Sequence, residues 1–130
     1  KKSELEIKKL ILDIAKKFQN FDEIYFTWQI DFRGRIYPVQ TLLNPQGEDL
    51  AKALLKFSEK KPLGQNGLKW LKIHGANCYG KDKVSFYDRI KWVDTHKEKI
   101  ISLAQKSNPF EDEFLQKADK KYAFLAFCYE

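Results

Sequence analysis

Only one stretch of this chain leaves helical periodicity, and that stretch constrains the fold class. From Ile24 the apolar residues recur at every second position: Ile24, Phe26, Trp28 and Ile30 alternate with Tyr25, Thr27, Gln29 and Asp31. That period belongs to a strand, here one with both faces partly covered. Arg33-Gly34 marks a tight reversal, because glycine enters positive φ without steric cost. Arg35 to Gln40 is the returning strand, and Pro38 removes one ladder donor, which predicts a short or edge strand. One hairpin over about residues 24–40 follows. The surroundings read as helix, so the expected class is α+β, mainly α, with one β-hairpin flanked by about five helices.

The helical stretches have their own signals. Ser3 to about Asn20 sets Ile7, Leu10, Ile11, Ile14, Ala15 and Phe18 at helical spacing, with Ser3 and Glu6 as a capping box. After the turn cluster Asn44-Pro45-Gln46-Gly47, Asp49 is expected to cap a short helix to about Ser58, with Leu50, Leu54, Leu55 and Phe57 inward. Gln65 to Tyr79 is expected to bury Leu68, Leu71 and Cys78. Ser85 and Asp88 form a capping pair for one long helix to about Lys106, packed through Ile90, Val93, Ile100, Leu103 and Ala104. Glu111-Asp112-Glu113 favours a helix N-terminus. The last stretch, Tyr122 to Tyr129, is apolar on every side, as in a helix interior to a larger protein. With no methionine at the start, the expectation is an internal piece of something longer, divided into 1–20, 21–60 and 61–130.

Composition removes several function classes. An apolar share of 43% in 130 residues excludes a disordered tail. No run approaches the roughly 20 apolar residues of a membrane-spanning helix. Cys78 and Cys128 are too few for a disulfide framework and favour a reducing compartment, while His74 and His96 lie too far apart for a zinc-ligand pattern. The net charge is +6, and residues 48–84 hold eight bases against four acids, the place to expect a polyanion. Lysine dominates; the three arginines are Arg33, Arg35 and Arg89, two of them in Phe32-Arg33-Gly34-Arg35. The planar guanidinium fork binds phosphate in a geometry lysine cannot reproduce.

Asp31-Phe32-Arg33-Gly34-Arg35-Ile36-Tyr37-Pro38 resembles the DxxGR signature of single-subunit DNA-directed RNA polymerases, the bacteriophage and mitochondrial kind. Further ordered matches follow at Asn44-Pro45-Gln46-Gly47, Lys61-Pro62-Leu63-Gly64, Gly67 to Cys78 and Ala123 to Glu130. The likeness is strong over about Tyr25–Val84 and again at the end, and weak through the long helix. His74-Gly75-Ala76-Asn77-Cys78 resembles phage members more than mitochondrial ones, so a phage or prophage origin and a bacterial cytoplasmic location are expected, with mitochondria as the runner-up.

The resemblance implies that residues 1–20 end a thumb, 21–60 begin the palm and 61–130 form a helical insertion in it. It implies a DNA template, an RNA–DNA hybrid and ribonucleoside triphosphates as partners, with no membrane, and Mg²⁺ in the full enzyme held by aspartates outside this segment. Arg35 should contact the template or hybrid backbone, with Arg33, Gly34, Tyr37 and Phe32 close by, and Lys83 should reach nucleotide phosphates. The chain alone should be inactive.

The residues themselves leave other roles open. Phe32 and Tyr37 suit packing within the hairpin, Arg33 suits pairing with an acid, and Lys83 suits a solvated turn. Asp31 lacks the second carboxylate that a two-metal centre needs at roughly 4 Å ion spacing, so it is read as an orienting partner of an arginine. His74 suits a core or interfacial hydrogen bond, and Cys78 a small buried apolar position. The rival functions are a free-standing basic nucleic-acid-binding module without catalysis, and a helical domain whose Arg33-Gly34-Arg35 turn docks on an acidic protein surface.

Overall fold

The computed structural model describes residues 2–130, except the side chains of Lys2 and Gln65, so Lys1 lies outside the described residues. Two compact units divide the chain, the first ending at Lys60 and the second spanning Lys61–Glu130. Among the described residues there are seven α-helices and one two-stranded antiparallel sheet, so the expected class holds with more and shorter helices.

In the first unit, α1 (Lys2–Phe18) packs on α2 (Asp49–Leu54). Ile11 at 1% exposure, Leu43, Leu50 and Ala51 form the buried centre. Ser3 lies inside α1 rather than capping it. Leu10 and Phe18, expected on the buried stripe, are exposed. The N-cap of α2 is Glu48, without a side-chain capping bond, and Asp49 is the first helical residue, which corrects the expected cap. That helix stops at Leu54 because Leu55 turns extended (φ −100°, ψ 130°). Phe57, beyond the end, then points to solvent, and Leu54 is also exposed.

The hairpin is shorter than the alternating pattern. Strand β1 (Trp28–Ile30) pairs with β2 (Ile36–Pro38) in the register Trp28↔Pro38, Gln29↔Tyr37 and Ile30↔Ile36. Val39 N–H donating to Thr27 O at 2.9 Å adds one rung. Trp28 and Ile30 are exposed, not half-covered, since two strands alone have no second layer within this unit.

In the second unit, α3 (Gly64–Tyr79) packs against α4 (Phe86–Thr95) and α7 (Lys121–Tyr129), while α5 (Lys97–Gln105) and α6 (Glu113–Gln116) also cover α7. Ala76, Leu103, Leu115 and Phe124 lie at its centre. The apolar final helix is therefore enclosed by this unit's own helices, with Phe124, Leu125 and Phe127 buried. Gly75 explains the fit of α7 on α3: an added Cβ would lie 2.4 Å from the Phe127 ring. Leu68 is exposed, contrary to expectation, because the buried residues of α3 fall in its second half at Ile73, Gly75, Ala76 and Cys78.

The expected single helix from Ser85 to Lys106 breaks at His96. Its backbone leaves helical geometry (φ −102°, ψ 11°), its Nδ1 lies 2.8 Å from Trp92 O, and its ring stacks on Trp92 at 4.5 Å. Beyond the break, Ile100 and Leu103 of α5 join the core around α7. His74, expected in the core or at an interface, is exposed on α3, with Nε2 3.5 Å from the Sγ of buried Cys78. Burial pushes the Cys128 thiol up to about 12, so this cysteine is not set up as a thiolate.

Candidate nucleic-acid interface

The five residues joining β1 to β2 are organised by one carboxylate. Gly34 N–H donates to Asp31 O at 3.0 Å, and Asp31 N–H to Arg35 O at 2.9 Å, closing the reversal. Gly34 sits at φ 77°, a region an L side chain enters only with strain. Asp31 Oδ1 accepts the backbone N–H groups of Arg33 and Arg35, each at 2.9 Å. Its Oδ2 accepts from Arg33 Nε and Nη2 at 3.4 Å and from Arg35 Nε at 3.3 Å. Both guanidiniums are thereby held on one side of the turn.

They are held without being hidden. The side chains of Arg33 and Arg35 are 57% and 49% exposed, against 21% for Asp31. An exposed ion pair contributes about 0–1 kcal/mol, so releasing either guanidinium from Asp31 costs little. The Arg33 guanidinium lies 5.3 Å from the Phe32 ring centre, and that of Arg35 lies 5.9 Å from the Tyr37 ring. Phe32 is 95% exposed, which removes packing within the hairpin as its role, while Tyr37 is half-buried. The tip thus presents two forks, an open aromatic face and a net positive charge.

With every oxygen of Asp31 engaged by N–H donors, this carboxylate is not arranged as a metal ligand. Among the described residues no group of three or more His, Cys, Asp and Glu could hold a metal ion. These residues do not fit a Mg²⁺ site, and no reaction step is assigned to them.

Gln46 supports the hairpin from outside, and sequence reasoning treated it only as part of a turn. Its Nε2 donates to Ile36 O at 3.1 Å, joining the Asn44-Pro45-Gln46-Gly47 turn to β2. Buried Asn44 braces that turn: Nδ2 donates to Gln40 O and Oδ1 accepts Gln46 N–H, both at 2.9 Å. At Gly47 an added Cβ would meet Leu42 O, Asn44 O and Ala51 Cβ, each at 3.2 Å.

Lys83 lies in the second unit, on the exposed turn between α3 and α4. Gly80 ends α3 at φ 102°, with Lys81 N–H donating to Ala76 O at 2.9 Å. Ser85 opens α4, its Oγ accepting Asp88 N–H at 3.2 Å and donating to Asp88 Oδ2 at 2.6 Å. Arg89, the arginine left without a role by the sequence, also reaches this turn. Its signal was its type, a lone fork outside the tetrapeptide in a lysine-rich chain.

The family model for DNA-dependent RNA polymerase matches residues 61–130, more than half the chain. The chain belongs to the DNA-dependent RNA polymerase family. It is 45% identical over 120 residues to the T7 RNA polymerase of Escherichia phage T7, covering 92% of this chain and 13% of that protein. It is 42% identical over 120 residues to the DNA-directed RNA polymerase of Enterobacteria phage T3, with the same coverage. The mitochondrial DNA-directed RNA polymerase 1 of Arabidopsis thaliana is 40% identical over 122 residues, 92% of this chain and 12% of that protein. The chain therefore spans about an eighth of the length of these polymerases. Both phage and mitochondrial relatives match, and among the described residues no helix is long and apolar enough to cross a membrane.

Proposed function

We propose that this chain is the part of a single-subunit DNA-directed RNA polymerase that holds the template strand and RNA–DNA hybrid by their backbones. The observation that carries the reading is the hairpin tip, where one aspartate orients two solvent-reaching guanidiniums beside a bare aromatic ring. Arg33 and Arg35 fork to phosphate oxygens, and Gly34, lacking a side chain, lets the strand approach the turn. Such contacts read no bases, as a protein that moves along any template requires. Phe32 offers a face for a base or sugar, and Tyr37 backs Arg35.

In this reading α1 ends the thumb, residues 21–60 start the palm, and residues 61–130 are a helical insertion whose Lys83 meets the phosphates of a ribonucleoside triphosphate. Lysine suits that task as a mobile point charge. The parent polymerase extends RNA at its 3′ end with Mg²⁺ held by carboxylates that are not among these residues, and works in a phage-infected or prophage-bearing bacterial cytoplasm. The segment by itself does not polymerise. The rival reading, a turn that docks on an acidic protein, gives no role to an exposed aromatic ring beside the forks.

A photo-crosslinking residue tests the placement. With p-benzoylphenylalanine at Phe32, in the polymerase carrying this segment and on a template–RNA scaffold, the expected product is a crosslink to the template or hybrid. Phe57, equally open to solvent at 93%, serves as the control position. Equal crosslinking at both positions, or none at Phe32, refutes the interface.

A further inference from the structure

We propose that Arg89 is a positioning residue that sets the turn bearing Lys83, and thereby the approach of that lysine to a nucleotide's phosphates. This rests on the reading of Lys83 as a phosphate contact. Each of the three guanidinium nitrogens of half-buried Arg89 donates to a group of the protein. Nε donates to Val84 O at 2.9 Å, Nη1 donates to Asn77 Oδ1 at 2.9 Å, and Nη2 donates to Asp82 O. The two carbonyls belong to the residues on either side of Lys83, so the chain is held at the peptide that enters Lys83 and again at the peptide that leaves Val84. Asn77 sits in the last turn of α3, and Arg89 itself in the first turns of α4. The turn is thus fastened to both helices by a single side chain. The Arg89 Cζ lies over the Phe86 ring, 5.1 Å from its centre.

The geometry needs arginine. Three acceptors lie in three directions around one planar group, which a guanidinium satisfies in a fixed fork and an ammonium on a flexible stem does not. Lys83, in contrast, is exposed and makes no hydrogen bond or ion pair among the described residues. Its backbone is held while its side chain is left for a ligand. Lys81, the other exposed cation of the turn, lies before the stretch that Arg89 grips, so Lys83 is the one bracketed.

The test compares Arg89→Lys, Lys83→Ala and the double variant in the polymerase carrying this segment. Two quantities are read: amide hydrogen exchange over residues 81–85, and KM and kcat for ATP in primer extension. Losing a charge-assisted contact predicts a KM about tenfold higher for Lys83→Ala, with kcat little changed. Arg89→Lys, which keeps the charge, is expected to raise KM by a similar factor and to speed exchange in the turn, while exchange in α7 stays unchanged as evidence of folding. The double variant is expected to be no worse than Lys83→Ala, because both changes remove one contact. Should Lys83→Ala leave KM unchanged, the phosphate reading of Lys83 fails and this role for the clamp fails with it. Should Lys83→Ala raise KM while Arg89→Lys moves either KM or turn exchange not at all, the phosphate reading stands and the positioning role is overturned. A penalty for the double variant equal to both single penalties multiplied also overturns it.

Discussion

Replacing Arg35 with alanine separates the guanidinium from the turn that carries it. The reversal is held by backbone groups: Gly34 N–H on Asp31 O, Asp31 N–H on Arg35 O, and the Arg33 and Arg35 amides on Asp31 Oδ1. None of these bonds uses the Arg35 side chain, whose contacts are the 3.3 Å hydrogen bond to Asp31 Oδ2 and the Tyr37 ring, 5.9 Å from the guanidinium. Arg35→Ala therefore keeps the tip and removes one fork. A charge-assisted hydrogen bond to phosphate contributes about 1.5–3 kcal/mol, and the exposed pair with Asp31 that binding must loosen returns about 0–1 kcal/mol. The net loss is about 0.5–3 kcal/mol, which weakens binding by about 2- to 160-fold. One phosphate contact fewer should also flatten the plot of log affinity against log salt by about 0.7–0.9. Fluorescence anisotropy of a labelled RNA–DNA hybrid, titrated with this chain at several salt concentrations, reads both quantities. The Gly34 amide resonance, unchanged in the variant, shows that the turn is intact. If affinity and slope both match the parent chain while that resonance stays put, Arg35 does not grip phosphate.

Two further outcomes concern the helical unit. Gly75→Ala places a methyl 2.4 Å from the Phe127 ring, so α7 must shift from α3; thermal unfolding should show a loss of about 1–3 kcal/mol, and an unchanged midpoint would refute that close approach. Asp112 caps α6 by accepting Phe114 N–H at 2.7 Å, and the hydrogen bond from Lys106, ahead of that backbone bond, holds its carboxyl below the usual 3.8. A depressed carboxylate contributes stability that is present above the unfolded value and lost as pH falls through the folded one. Asp112→Ala should thus cost about 1 kcal/mol at neutral pH, and the gap from the parent should close below 3.8; a gap constant down to acid pH would count against the ion pair.

The polymerase resemblance was legible because its motifs are local. Asp31 to Arg35 make their bonds within five residues, so the reversal needs only a glycine that tolerates φ 77° and a short acidic side chain at its start. The hairpin itself followed from a change of period, although its ladder is trimmed to three pairs because nothing within its unit covers the outer face. Burial was harder to read. A helical stripe marks which residues share a face, not whether a neighbour arrives there, and Leu10, Leu54 and Leu68 were placed inward on spacing alone. Ala76, Val93 and Leu103, at positions where a neighbouring helix does arrive, are buried.

What the residues alone determined, then, is whatever closes over a few positions: the reversal at Gly34 and the Ser85 cap. Only the tertiary structure decided what depends on distant partners. Gly75 waits on Phe127 in α7, α5 beyond the His96 break packs on that same helix, and Arg89 reaches back to Asn77 across twelve positions to hold the Lys83 turn. Short-range bonds are written in adjacent letters. A guanidinium's choice among distant acceptors is set by how helices pack, and that packing is a property of the whole unit.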